Sequence, residues 1–155
     1  MGTEIERKFL VSDDGWRGSV PGRRIRQGYL CLDPERTVRV RTAGERAWLT
    51  VKGPTIGVTR PEFDYAIPLA DAQQMLDTLC HQPLIDKTRY KIPLGAHLWE
   101  VDEFHGANDG LVIAEVELAS ETEHFERPAW LGAEVSGDAR YFNVNLFRRP
   151  YGDWD

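Results

Sequence analysis

A period-two alternation in which charges of one sign collect on one side constrains this chain's fold more than any other feature. Near the amino terminus, Thr3-Glu4-Ile5-Glu6-Arg7-Lys8-Phe9-Leu10-Val11 sets Glu4, Glu6 and Lys8 on alternate positions. Successive side chains of a β-strand point to opposite faces, so these three share one face at a spacing of about 7 Å. The pattern recurs down the chain. Arg39 and Arg41 alternate with Val38 and Val40, and Lys52 stands level with Thr50 after Trp48. Arg60, Glu62 and Asp64 oppose Phe63, Tyr65 and Ile67, while Lys87, Arg89 and Lys91 align in the next segment. Glu100 and Asp102 oppose Trp99 and Val101, and Glu115 and Glu117 oppose Val112, Ala114, Val116 and Leu118. Period-two patterning is the primary sequence signal for strands. These seven segments, with residues 22–32 as an eighth, are enough to close a β-barrel.

Which face looks inward decides the chemistry. A solvated outer face usually mixes both signs with neutral polar residues. Here the charged faces are nearly pure sets, and like charges two residues apart repel unless an opposite partner or a bound ion lies between them. The pattern therefore predicts a hydrophilic interior in which acidic strands bind cations and basic strands bind an anion.

Length and composition fit one domain spanning residues 1–155, with 41% apolar residues excluding a disordered chain. No apolar run approaches the roughly 20 residues needed to cross a bilayer, and no secretory leader is evident. Cys31 and Cys80 lack metal-ligand spacing and are expected to be buried thiols in a reducing cytoplasm. The net charge of −6, without a basic, aromatic-studded stretch, argues against a nucleic-acid partner. It does not argue against a small polyanion inside a barrel, where the local field decides. Arg23-Arg24-Ile25-Arg26 reads either as a solvated strand entrance or as a device that draws substrate in.

Between the strands, the apolar stripe of Ala72, Met75, Leu76 and Leu79 predicts a helix from Pro68-Leu69 to about Cys80, packed on the barrel's outer face. A short helix is expected over residues 121–126, and another from Asp138, as N-cap, through about Leu146.

Glu4-x-Glu6-x-Lys8, followed in order by Arg39-x-Arg41, Lys52, Lys87-x-Arg89 and Glu115-x-Glu117, resembles the CYTH family, also called triphosphate tunnel metalloenzymes. The resemblance covers nearly the whole chain. It implies a mainly β (α+β) fold: a closed eight-stranded antiparallel β-barrel with a few peripheral helices and the carboxy-terminal helix at one mouth. It also implies a divalent metal, Mg²⁺ or Mn²⁺, and a monomer or homodimer. Tyr141 and Asn143 would then face the tunnel or serve packing.

A triphosphate carries about four to five negative charges at neutral pH, so burying it requires several fixed cations. Arg39 and Arg41 offer planar forks, and Lys8, Lys52, Lys87 and Arg89 add further donors. Glu4, Glu6, Glu115 and Glu117 form the natural oxygen-ligand set for a hard divalent ion, with Asp102 as an additional ligand. Glu62 and Asp64 are expected to orient the arginines, with metal ligation as the alternative. By the resemblance, Tyr29 hydrogen-bonds Lys87 and keeps its ammonium poised, with Lys8 as a further catalytic group; packing is the alternative for Tyr29. The resemblance implies hydrolysis of inorganic tripolyphosphate. Thiamine or nucleoside triphosphate hydrolysis, a class IV adenylyl cyclase and a non-catalytic phosphate-binding module remain open, with Trp48, Trp99, Phe104 or Trp130 available to stack a base.

Overall fold

The computed structural model describes residues 2–154. Its strands are β1 (Gly2–Val11), β2 (Gly22–Cys31), β3 (Thr37–Ala43), β4 (Arg46–Lys52), β5 (Thr59–Ile67), β6 (Ile85–Leu94), β7 (His97–Phe104), β8 (Val112–Glu117) and β9 (Leu131–Glu134). They are ordered β5-β4-β3-β2-β6-β7-β8-β1-β9, and β5 also pairs with the start of β1. That last pairing closes eight antiparallel strands into a barrel; β9 adds to the far end of β1, at Phe9 and Val11. Tight turns at Gly44 (φ 61°) and Gly95 (φ 60°) return β3 into β4 and β6 into β7, a left-handed conformation that glycine adopts without a steric penalty.

Register puts the charged rows on one inner surface. Lys8 stands opposite Glu115 and Glu6 opposite Glu117, Glu4 opposite Arg60, Lys52 opposite Glu62 and Arg89 opposite Asp102. The apolar residues of the same strands face outward. Phe9, Trp99, Val101, Ala114 and Val116 form one core with Trp16, Leu118 and Trp130 from the covering segments. Val40 and Ala47 form another beneath Ala72, Leu76 and Cys80. Ile85, Phe104 and Ile113 are the exception: they continue the inward rows of Lys87, Asp102 and Glu115 and close one end of the barrel with Tyr29 and, from the carboxy-terminal segment, Tyr141 and Leu146. Apolar burial, worth about 25 cal/mol per Å², thus stabilises the wall largely from outside and leaves the lumen wet.

Helix α1 (Leu69–Thr78) packs on β3 and β4 through buried Ala72 and Leu76. Leu79, expected on that stripe, is 67% exposed because the helix has ended. No helix forms over 121–126. Glu123 instead accepts the Ala119 amide, and Phe125 packs edge-on against Phe9 and Trp99. The expected continuous helix after Asp138 is broken: a 3₁₀ turn at Ala139–Tyr141, capped by the Asp138 carboxylate, is followed by α2 (Asn143–Arg148). Phe142, extended between them, sets the break. Cys80 is buried as expected, whereas Cys31 is half-buried; neither is bridged. No described helix is long and apolar enough to cross a membrane.

Candidate active site

The lumen is a run of three connected cavities. A small chamber of about 80 Å³ lies where the Gly53–Val58 loop meets residues 136–144, and Glu4, Glu6, Lys8, Arg39, Lys52 and Arg60 project into it. A central cavity of about 350 Å³ shares Glu4, Glu6, Arg39 and Lys52 with it and adds Arg41, Lys87, Arg89, Glu115 and Glu117. Arg41 and Arg89 then pass into a wider mouth of about 630 Å³ bordered by Arg23, Trp48 and Lys91.

Inside this space the cations divide into two kinds. Lys52 Nζ donates to Glu4 at 3.0 Å and lies 3.4 Å from Glu62. Lys87 Nζ is 2.8 Å from Asp102 Oδ2, and Lys8 Nζ is 3.6 Å from Glu115. Arg89 grips Asp102 with Nε and Nη2 at 2.8 and 2.9 Å and also reaches Glu100 and Glu115. Arg39, Arg41 and Arg60 differ. Among the described residues, none of them has a carboxylate within 4.0 Å. The Nε atoms of Arg39 and Arg41 are buried with no hydrogen-bond partner. Leaving a buried donor unsatisfied costs about 1–3 kcal/mol, more when it is charged, so the apo barrel holds these forks at a cost that an anion would relieve. Burial, then the neighbouring charges of Arg39 and Arg89, lowers the Arg41 guanidinium to about 10.

The carboxylates are crowded in a complementary way. Burial pushes Glu6 well above its ordinary range, and the charges of Glu115 and Glu4 add to this. Burial also acts to raise Glu115, but Lys8, a hydrogen bond shared with Glu6, and Arg89 overcome it and hold the carboxyl well below that range. Glu62 is raised to about 7, by burial first and then by a hydrogen bond shared with Glu4. Glu4 itself is lowered to about 2: burial opposes ionisation, and Lys52 outweighs it. Glu117, at the exposed end of β8, is raised by burial and by Glu4 and Glu100. Acids sharing protons at such close range form a hard-oxygen set that a divalent cation fits. Among the described residues no three Asp, Glu, His or Cys side chains converge as a ready-made cage, and Mg²⁺ commonly takes only one or two carboxylates beside phosphates and waters.

The other expected residues are placed as follows. Asp102 is 1% exposed and bonded through both oxygens to Lys87 and Arg89, which leaves it holding cations and takes it away from the metal set. Tyr29 lines the small chamber, but its hydroxyl meets Gln27 Nε2 at 3.5 Å and makes no bond to Lys87. Lys87 turns to Asp102 and Asn143 Oδ1. Asn143 lines both inner cavities, whereas Tyr141 is buried and gives its carbonyl to Lys8 Nζ at 3.4 Å. Asp64 reaches Arg39 only through the Thr50 hydroxyl, and Glu62 serves Lys52 in place of an arginine. Trp99, Phe104 and Trp130 are buried in apolar clusters, which removes them as base-stacking surfaces. Trp48 alone of that group borders the tunnel, with the Arg41 guanidinium 5.1 Å from its ring. Of the basic run, Arg24 pairs with Asp86 and Arg26 approaches Asp77, and only Arg23 borders the mouth. Arg60 was not among the expected ligands.

Residues 2–151 match the CYTH domain. A protein of Acetivibrio thermocellus named inorganic triphosphatase is 48% identical over 151 residues, 97% of each chain. One of the same name from Nitrosomonas europaea is 38% identical, covering 93% of this chain and 96% of its own. The crystal structure of an inorganic triphosphatase superposes with a TM-score of 0.66 at 34% identity, over 92% of this chain and 96% of that one.

Proposed function

The chain belongs to the CYTH domain family, and from that premise we propose that it hydrolyses inorganic tripolyphosphate to pyrophosphate and orthophosphate inside the tunnel, with Mg²⁺ or Mn²⁺. The observation that carries this reading is the pair of buried, carboxylate-free forks of Arg39 and Arg41 with orphaned Nε donors. Lys8, Lys52, Lys87 and Arg89 surround the same space.

Phosphoryl transfer asks a protein mainly for positioning and charge stabilisation. Arg39 and Arg41 grip non-bridging oxygens bidentately. Lys8, Lys52 and Arg89, each steadied by its own carboxylate, offset charge that builds up on the leaving group. Glu4, Glu6, Glu115 and Glu117 are the residues to hold the divalent ion. When bound, it supplies charge neutralisation and a more acidic coordinated water. Asp102 fixes Lys87 and Arg89 in place. Burial, aided by Arg89 and opposed by Asp102, lowers Lys87 to about 8, which suits it to donate a proton to the departing pyrophosphate. Tyr29 is assigned to the chamber wall, where it meets substrate oxygens and not Lys87. The two unbridged thiols fit a reducing cytoplasm.

The test is a panel of tripolyphosphate, thiamine triphosphate, ATP and pyrophosphate with each metal, read as released phosphate. Tripolyphosphate should be hydrolysed fastest. Trp48 beside the wide mouth favours one second reading, hydrolysis of a nucleoside triphosphate, and a faster rate on ATP would select it. Cyclic AMP plus pyrophosphate from ATP would reject both.

A further inference from the structure

Two inner cations, Lys8 and Arg60, border the small chamber and neither the central cavity nor the wide mouth. Lys8 is paired with Glu115, which leaves Arg60 as the one of the two without a carboxylate within 4.0 Å among the described residues. Its Nε and Nη2 both donate to the Gly53 carbonyl, at 3.2 and 2.9 Å. The carbonyl fixes the guanidinium without neutralising it, and among the described residues Nη1 has no partner. Arg39 borders both the small and central cavities, and Arg41 both the central cavity and the mouth. The three carboxylate-free guanidiniums therefore run in the order Arg60, Arg39, Arg41 along the tunnel.

The chamber at the Arg60 end measures about 80 Å³, against at least about 300 Å³ for a pocket that takes an ordinary organic ligand. An end phosphoryl group fits there; a substituent as large as a nucleoside does not. An end phosphoryl also differs in charge from an esterified one, because it has an additional ionisable oxygen and no substituent. A fixed, unneutralised fork in a tight chamber discriminates on both counts.

We propose that Arg60 is a specificity-determining residue that reads the free end of the phosphate chain, so that substrate enters end-first from the wide mouth and must carry at least one unesterified terminal phosphoryl. This rests on the tunnel being the phosphate site and names which substrates that site accepts. The chain end lodges against Arg60 and Lys8, the middle phosphoryl against Arg39, and the third against Arg41.

Calorimetric titration in metal-free buffer, where no turnover intervenes, tests this with two probes: tripolyphosphate and its P1,P3-dimethyl ester, capped at both ends. The wild-type protein should bind the uncapped chain at least tenfold more tightly. Arg60→Gln should shrink that ratio towards one through loss of uncapped affinity, leaving the weak binding of the capped chain within twofold. Arg60→Lys, which keeps the cation but loses the fork, should retain part of the ratio, above that of Arg60→Gln. A purely structural role would weaken both probes in parallel and overturn the inference, as would a wild-type ratio near one; that ratio and the lysine variant decide the matter if Arg60→Gln does not fold. A wild-type protein that shows the ratio but releases no phosphate with metal would refute the hydrolase and leave the end-reading role standing.

Discussion

Lys87 Nζ stands 2.8 Å from Asp102 Oδ2 across neighbouring strands, and both side chains are 1% exposed. The same carboxylate accepts two bonds from Arg89. One anion thus holds two cations of the tunnel, and with its oxygens so occupied Asp102 stays ionised despite burial, its proton affinity lowered by Arg89 and Lys87. The lumen's electrostatics follow from such pairings: lysines and Arg89 are internally compensated, while Arg39, Arg41 and Arg60 are left for a ligand.

Removing Asp102 should therefore harm the fold as well as the site. Breaking a buried ion pair by deleting one partner costs about 3–5 kcal/mol, because the remaining charge is uncompensated. Urea denaturation of Asp102→Ala at pH 7 should show a loss of that size. A loss under about 1 kcal/mol, the range of an exposed pair, would mean that the pair is solvated in solution.

The opposite outcome is expected at Arg39. Arg39→Met removes a cation with no carboxylate partner and an orphaned Nε, so the ligand-free protein should be unchanged or more stable, by up to about 1–3 kcal/mol. Hydrolysis should fall at least about a hundredfold, on the scale of losing one oriented charge-stabilising donor. Lys52→Met is the control, since it strands Glu4 and Glu62 and should destabilise. Thermal melts of both variants with and without tripolyphosphate check the contrast. Equal destabilisation by the two would contradict the division of the cations.

All eight barrel strands were legible because alternation is local and repeated, and the inward direction followed from the purity of their charges. What local pattern does not contain is pairing. Nothing in Arg39-Val40-Arg41 or Lys87-Thr88-Arg89 distinguishes free guanidiniums from one gripping Asp102, since that depends on register across strands. Arg60 escaped for a related reason: it precedes Pro61 and shares its row with Glu62 and Asp64, so it reads as their counter-ion. Strand β9 has only four residues and a glycine among them, too short to alternate visibly. The 121–126 segment carries helix-compatible residues, but the packing of Phe125 on Phe9 and Trp99 keeps it from winding into a helix, a tertiary override of a weak propensity.

Glu62 makes the stability of the ligand-free protein depend on pH near neutrality. Its carboxyl is raised from 4.5 to about 7, so the folded state holds a proton that the unfolded chain releases. The associated stability is complete below about pH 4.5 and is lost as the pH rises through about 7. Glu4 acts with the opposite sign but titrates near 2, outside this window. Melting temperature should therefore decline from pH 5 to pH 8, and Glu62→Gln should make the decline shallower. Glu6 and Glu117, also raised, keep it from vanishing. A melting temperature that climbs over this range would contradict the shared protons.

The same protons give the metal set a signature independent of turnover. A divalent cation binds carboxylates and not carboxylic acids, so its binding must displace the proton held at Glu6. At pH 6, titrating Mg²⁺ or Mn²⁺ into the protein should release about one proton per ion, with affinity rising as the pH is raised. Calorimetry in two buffers of different ionisation enthalpy measures that number directly. Glu6→Gln should reduce the release and weaken binding at least about tenfold, the low end for disturbing a metal site's ligand environment. Glu117→Ala should weaken binding while changing proton release less, because Glu117 sits at the exposed end of β8. Metal binding with no proton release at pH 6, unaffected by either substitution, would place the ion outside this carboxylate set, and Glu4, Glu6, Glu115 and Glu117 would have to be reassigned to balancing the lysines.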